Sequence, residues 1–151
     1  MVIGASWPSK EYPKEKFVEL CFALEEAACL LIWGSAREKE MAAFIAERAS
    51  NVTVTPKLSL KELTATIEHC DLTIGNDTGP THIAWAMNRP SITLFGPTNT
   101  RMIYGTPINL ACESDSAVDI MKINKQDFTI KDIEVDNIAT KAKKLLEHVT
   151  Y

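Results

Sequence analysis

The stretch DLTIGNDTGPTHIAWAMNRPSITLFGPT, residues 71–98, decides the fold. Its apolar start predicts a strand, which the turn-forming residues 76–80 bring to an end. A short helix is expected over residues 81–88, because Pro90 stops a longer one, and a second strand over residues 91–95. This order of elements is typical of an open α/β sheet, in which ligands bind where a strand ends and a helix begins.

The length and composition of the chain are those of one globular domain. It has 151 residues, of which 46% are hydrophobic and 24% are charged, and no apolar run approaches the length of a membrane span. The N-terminus lacks the basic start and long apolar core of a secretory signal. We therefore expect a single domain over residues 1–151, without a transmembrane helix and located in the cytoplasm.

The charge and the cysteines exclude several kinds of function. A net charge of −4 argues against a general nucleic-acid-binding surface, because phosphate backbones favour an excess of Lys and Arg. The four cysteines lie in apolar stretches and form no CxxC pair: Cys21, Cys29, Cys70 and Cys112. They are expected to be buried free thiols, and no metal site is predicted.

Strands also alternate with helices outside the central stretch. Four further strands are predicted from apolar runs, at residues 2–5, 29–33, 52–55 and 108–112. Four further helices are predicted from apolar residues at helical spacing, one beginning near Pro13 and the others at residues 35–49, 59–70 and 135–149. Ser59, with Glu62 three residues later, matches a capping box. Residues 113–131 are polar and weakly patterned, and we expect them to form a surface loop.

Alternating elements with apolar strands predict a parallel sheet covered by helices on both faces, as in a Rossmann-like or flavodoxin-like three-layer sandwich. The crossover connections are expected to be right-handed. No GxGxxG motif follows the first strand and no GxxxxGK[ST] motif occurs. Neither dinucleotide binding of the usual type nor a P-loop is therefore supported.

The turn at residues 76–80 has the composition of an anion-binding helix start. Thr78 can cap a helix, Gly79 tolerates unusual backbone angles, and Pro80 suits the first helical position. Free N–H groups and the helix dipole would stabilise a phosphate there. Asp77 would repel that phosphate, so it is better suited to accept hydrogen bonds from sugar hydroxyls or to brace the turn. A simple stable turn, with Asp77 as its internal brace, is an equally good interpretation.

Three further loops follow predicted strands and should open onto the same edge: residues 6–12, 34–38 and 56–59. Lys10 has the charge that a diphosphate needs, although an ordinary solvated lysine is the alternative. Glu38 can accept from ribose hydroxyls, or it can be a first-turn glutamate favoured by the helix dipole. His82 can donate to a ligand at the helix start, or it can pack in the helix with one partner. Thr98 ends the turn after the strand at residues 91–95 and is a further candidate contact.

The segment GNDTGPTHIAWAMNRPSITLFGPT closely resembles the signature of bacterial lipopolysaccharide heptosyltransferases. The shared features are an Asp-Thr-Gly, a His three positions on, a Pro before the strand and a Phe-Gly-Pro-Thr. The segments SKEYPKEKF, WGSAREKE and PKLSLKEL resemble other parts of that family's pattern. The resemblance covers residues 4–98 in the correct order and spacing.

The resemblance implies one half of a GT-B fold, which consists of two Rossmann-like domains. This chain resembles the C-terminal, donor-binding domain, with the N-terminal acceptor domain absent. By resemblance, Lys10 and the backbone at Thr78 and Gly79 hold the diphosphate, and Glu38 holds the ribose. The loop around Leu58 contacts the adenine, and Asp77 binds the heptose hydroxyls. His82 lies nearby, and Ser9 and Thr98 are additional candidate contacts.

The implied reaction is inverting transfer of heptose from ADP-heptose to the Kdo region of the lipopolysaccharide inner core, without a required metal or cofactor. The general base that the family is proposed to use is an Asp of the N-terminal domain, so we expect this chain to bind the donor without transferring heptose. In a full-length protein it would lie peripherally at the inner face of the cytoplasmic membrane. Of the two main subtypes, the first is favoured, although residues 113–131 lack the cysteines that other members often carry.

Two alternatives remain open from the residues. One is another nucleotide-sugar enzyme of GT-B architecture, which would bind a different nucleotide. The other is a non-catalytic α/β interaction module, for which we would expect an acidic cluster at the strand ends that the sequence does not have.

Overall fold

The computed structural model describes residues 1–97, 105–114 and 124–147. The strands in these ranges are β1 (Cys29–Leu31), β2 (Val52–Val54), β3 (Thr73–Asn76), β4 (Ser91–Phe95) and β5 (Asn109–Glu113). The helices are α1 (Lys14–Ala23), α2 (Ala36–Ala46), α3 (Leu60–His69), α4 (Gly79–Ala86) and α5 (Val135–Glu147). Short 3₁₀ turns occur at Pro8–Lys10 and Thr129–Asp132.

All strand pairs are parallel, and Val2 joins them into one sheet. β1 pairs with β2, and β4 lies between β3 and β5. Val2 bridges to Ile32, just after β1, and to Gly75 in β3, with its N–H donating to Ile74 O at 2.8 Å. The order is therefore β2, β1, Val2, β3, β4, β5, which is the doubly wound Rossmann order and reverses between Val2 and β3.

The predicted strand at residues 2–5 is reduced to Val2, so its length was overestimated. Beyond Val2, the carbonyl groups of Ile3 and Gly4 accept hydrogen bonds from the side-chain amide of Asn76, at 2.9 and 3.1 Å. A side chain thus takes the place of a neighbouring strand, and the regular pairing stops. The other predicted strands and helices are found, with ends shifted by a few residues.

Helices cover both faces of the sheet and complete the three layers. The larger apolar cluster includes residues of α1, α2 and α5, among them the fully buried Phe17, Leu20, Ile45 and Ile138. The smaller cluster joins Ile67 of α3 and Ala84 of α4 to Val2. The predicted α/β layer sandwich with a parallel sheet is therefore confirmed, because apolar strands buried on both sides need helices on both faces.

Two helices begin with a capping box. In α3, Ser59 Oγ accepts from Glu62 N at 3.3 Å and Glu62 accepts from Ser59 N at 2.8 Å, as the sequence predicts. Ser35 and Glu38 make the same reciprocal pair at the start of α2. Each pair satisfies backbone N–H groups that would otherwise have no partner within the helix.

Helix α4 differs from its prediction at both ends. It begins at Gly79, so that Pro80 occupies the second helical position and not the first. It ends with Asn88 in the left-handed region, at φ 54°, where Asn88 N donates to Trp85 O and Arg89 N to Ala84 O. These two bonds form a Schellman motif, which stops the helix before Pro90 can do so.

The cysteines of the chain are all free thiols. Cys21, Cys29 and Cys112 are buried as predicted, whereas Cys70 is half-buried at the end of α3. Burial raises the pKa of the Cys112 thiol above its ordinary value. Within the described ranges, none of the helices combines the length and hydropathy needed to span a bilayer.

Candidate functional site

The crevice at the reversal of strand order contains a compact group of charged side chains. Asp77 directly follows β3, and its Oδ2 lies 2.7 Å from Lys10 Nζ. Its Oδ1 lies 2.7 Å from His82 Nε2, one turn into α4. The Asp77 side chain is 7% exposed and that of Lys10 11%, whereas His82 is 37% exposed. The structure thus brings together three of the predicted site residues from three separate segments.

Backbone and aromatic contacts hold the loop that carries Lys10. Lys10 lies in the 3₁₀ turn Pro8–Lys10, and its ammonium group is 5.4 Å from the ring centroid of Trp7. Tyr12 N donates to Asn76 Oδ1 at 3.0 Å, and Tyr12 OH donates to Ile133 O at 2.8 Å. The solvated lysine that the sequence left open is therefore not observed, because Lys10 is nearly enclosed and paired.

The N-terminus of α4 has no side-chain cap. Thr78 is the N-cap residue but makes no capping bond, and its hydroxyl is 3.4 Å from Asn76 O. The expectation that Thr78 caps the helix is therefore wrong. Gly79 does not use unusual backbone angles either, since no glycine described has positive φ, and a Cβ at Gly79 would meet nothing within 4 Å. Among the described residues, no side chain caps this helix start or fills the space beside Gly79.

Glu38 lies in the first turn of α2, and its carboxylate is beside Gly4 of the N-terminal segment. Its Oε2 accepts from Gly34 N at 2.6 Å, and its carboxylate lies so close to Gly4 that a Cβ there would clash with it. This geometry is that of a first-turn glutamate at a helix N-terminus, which was the second interpretation of Glu38 from the sequence. Glu38 as a whole is half-buried, and the ribose contact remains a prediction.

The remaining predicted residues have different positions. Ser9 is fully buried, and its hydroxyl has no hydrogen-bond partner among the described residues, so it is not exposed to a ligand in this conformation. Leu58 is half-buried in the loop between β2 and α3, at the same edge of the sheet but two strands away from Val2. Thr98 lies outside the described residues.

Several residues of the crevice were not predicted. Asn76 is fully buried and connects β3 to the loop of Lys10. Glu11 makes a two-bond ion pair with Arg37, with oxygen to nitrogen distances of 2.6 and 2.8 Å, and this hydrogen-bonded pair raises the pKa of Arg37. In the sequence, Asn76 is an ordinary turn residue, and Glu11 and Arg37 are ordinary charged residues. Their roles become visible only from contacts between residues that are distant in the chain.

The arrangement is suited to binding an anionic ligand. Lys10 and the open start of α4 provide positive potential for a phosphate group, while the Asp77 carboxylate and His82 provide polar contacts beside it. No group of three His, Cys, Asp or Glu side chains that could hold a metal ion occurs among the residues described. A cavity of about 860 Å³ lies at the opposite edge of the sheet, beside Met1 and Leu72, and includes none of the predicted site residues.

Comparison with known proteins identifies relatives of this chain. Residues 1–129 match the family described as Glycosyltransferase family 9 (heptosyltransferase). Lipopolysaccharide heptosyltransferase 1 of Campylobacter coli is 39% identical over 153 residues, which cover 95% of this chain and 45% of the relative. The protein of the same name from Pseudomonas aeruginosa is 36% identical over 98 residues, covering 64% of this chain and 28% of the relative. The chain thus spans less than half the length of these relatives.

Solved structures give the same result for the fold. The E. coli heptosyltransferase WaaC with ADP superimposes with a TM-score of 0.68 at 25% identity, over 97% of this chain and 42% of that chain. The same enzyme with ADP-2-deoxy-2-fluoro heptose gives 0.69 at 25% identity, over 99% and 42%. A family 9 glycosyltransferase from Veillonella parvula gives 0.77 at 25% identity, over 97% and 44%. The prediction of one half of a GT-B glycosyltransferase fold is confirmed.

Proposed function

The chain belongs to glycosyltransferase family 9, the heptosyltransferases, and from this we propose that it is the donor-binding half of an enzyme that transfers heptose from ADP-heptose to the Kdo region of the lipopolysaccharide inner core. The observation that carries the proposal is the group of Lys10, Asp77 and His82 beside the uncapped start of α4. It occupies the crevice where doubly wound folds bind nucleotides. Solved relatives that contain ADP and a fluorinated ADP-heptose support the choice of ligand.

Each group of the crevice has a role in this proposal. The diphosphate is held by Lys10 and by the N–H groups and dipole at the start of α4. Asp77 accepts hydrogen bonds from heptose hydroxyls, with His82 hydrogen-bonded to the same carboxylate. The adenosine extends along the sheet edge past Glu38 towards Leu58, in the direction of β1 and β2.

In this proposal, the chemistry of transfer depends on groups outside this chain. In our proposal the acceptor-binding residues and the general base lie in an N-terminal domain, as the family resemblance implies; the chain spans less than half of its relatives' length. We therefore propose that the 151-residue chain binds donor without transferring heptose. The complete enzyme would invert the configuration of the donor, need no metal or cofactor, and act in the cytoplasm at the inner face of the membrane. The similarity to relatives named heptosyltransferase 1 supports the first subtype.

Binding of ADP by the 151-residue chain tests the proposal. ADP at about 100 times its Kd should raise the melting temperature by about 5–10 °C, and UDP should raise it far less. Lys10→Met should weaken ADP binding, whereas Lys143→Met, at an exposed lysine of α5, should not. An equal shift with UDP would favour another nucleotide-sugar enzyme. The absence of any shift with millimolar adenine nucleotide would support the interaction module instead.

A further inference from the structure

Asn76 is the last residue of β3 and has no exposed surface. Its side chain makes three hydrogen bonds to the backbone of the N-terminal segment. Oδ1 accepts from Tyr12 N at 3.0 Å, while Nδ2 donates to Ile3 O at 2.9 Å and to Gly4 O at 3.1 Å. One amide thus fastens both ends of the segment at residues 4–12 to the end of β3.

The partners of Asn76 specify an amide at this position. They comprise one N–H donor and two carbonyl acceptors, so the side chain must offer an acceptor and two donors at once. A carboxylate would place an oxygen against the carbonyls of Ile3 and Gly4, and an apolar side chain would leave three buried backbone groups without partners. The sequence position alone, in a turn-rich stretch, does not reveal this requirement.

The segment that Asn76 fastens carries Lys10, and the residue that follows Asn76 is Asp77. The Asn76 main chain belongs to the same framework, because its carbonyl accepts from Thr81 Oγ1 of α4 at 2.8 Å. We propose that Asn76 is a positioning residue for donor binding, which sets the Lys10 ammonium group in the crevice by closing the segment at residues 4–12. This inference rests on the proposed function, since it explains how Lys10 is positioned in the proposed donor site.

The test compares ADP affinity in Asn76→Asp with that in a matched control. Asn109→Asp changes an equally buried asparagine at the start of β5, whose side chain donates to Arg89 O and Ser91 Oγ and accepts from Thr106 Oγ1. Calorimetric titration should show about tenfold weaker binding for Asn76→Asp, the loss expected of one charged contact, and a change within about twofold for Asn109→Asp.

A double-mutant cycle with Lys10→Gln separates positioning from a general effect on the fold. If Asn76 acts through Lys10, Asn76→Asp should cause little further loss in the Lys10→Gln background. Equal losses in both backgrounds, or an unchanged affinity of Asn76→Asp, would overturn the inference. Failure of the wild-type chain to bind ADP would instead overturn the proposed function. If Asn76→Asp does not fold, Asn76→Ser is titrated with the same criteria.

Discussion

The Asp77 carboxylate is nearly enclosed, and the side chains of Lys10 and His82 are in contact with it. An unpaired buried carboxylate is strongly unfavourable, and the contacts with Lys10 and His82 help to keep the charge there. An incoming diphosphate would compete with Asp77 for Lys10. Neutral sugar hydroxyls would not compete for Lys10, because they are hydrogen-bond donors to the carboxylate and not anions. Asp77 should therefore distinguish a nucleotide sugar from a bare nucleotide.

Asp77→Ala should weaken the binding of ADP-heptose by about tenfold or more, because sugar hydroxyls lose a charged acceptor. The binding of ADP should change less, since Lys10 is then released from its ion pair. Isothermal titration with both ligands measures the two effects in the same variant. Asp136→Ala, at an exposed residue of α5, is the control and should affect neither ligand. A parallel loss for the two ligands would contradict a role of Asp77 in reading the sugar.

The sequence predicted the chemistry of the crevice better than its internal contacts. Lys10, Asp77 and His82 were each identified from residue type and position after a predicted strand, and the parallel sheet brings them together. The pairing of Lys10 with Asp77 could not be predicted, because it depends on how residues 4–12 fold back onto β3. Asn76 controls that folding through contacts that join residues more than sixty positions apart in the chain.

The helices of the described ranges differ in how their N-termini are satisfied, and the difference singles out α4. The starts of α2 and α3 are closed by their own Glu38 and Glu62 carboxylates. α1 also lacks a side-chain cap but has Glu15 in its first turn, whereas the first turn of α4 has neither a side-chain cap nor an acidic residue. The helix dipole at α4 is therefore not offset from within the helix, and an external anion can interact with it. Capping boxes were predictable because they are local, whereas the absence of a cap on α4 depends on Thr78 turning to Asn76.

Glu62→Gln should destabilise the chain at neutral pH and not in acid. Hydrogen bonds from Ser59 lower the pKa of Glu62 below its ordinary value of 4.5 in the folded chain. A lowered folded pKa contributes stability that is fully present above the unfolded value and is lost as the pH falls through the folded value. Urea denaturation should therefore show a gap between wild type and Glu62→Gln at about pH 7 that narrows below about pH 4. Glu68→Gln, an exposed position of the same helix, should show no such gap.

The sheet consists of two parts that meet at Val2, next to the candidate site. The alternation of strands and helices predicted its parallel character, since that pattern is carried by local hydrophobicity. The sequence did not predict that, within the described ranges, the two parts are joined through Val2 alone. Asn76 ends the strand pairing after Val2 because its side chain binds the carbonyl groups of Ile3 and Gly4. β3 can approach Val2 this closely because residue 75 is a glycine. A Cβ added at this position would lie 2.6 Å from Val2 Cβ and 2.8 Å from Val2 O.

Gly75→Ala should therefore destabilise the entire sheet and disturb the crevice as well. The added methyl group would also lie 2.7 Å from Thr81 Oγ1, so β3 has to move away from both Val2 and α4. We expect the free energy of unfolding to fall by about 2 kcal/mol, as is typical of overpacking, when measured by urea denaturation. Gly105→Ala is the matched control, because a Cβ there meets no atom of the described residues within 4 Å. Equal stability of the two variants would show that the junction at Val2 does not limit the stability of the sheet. A folded Gly75→Ala chain should also bind ADP more weakly than wild type. Lys10 lies in the segment that follows Val2 and Asp77 follows β3, so a shift of β3 away from Val2 would separate the two side chains.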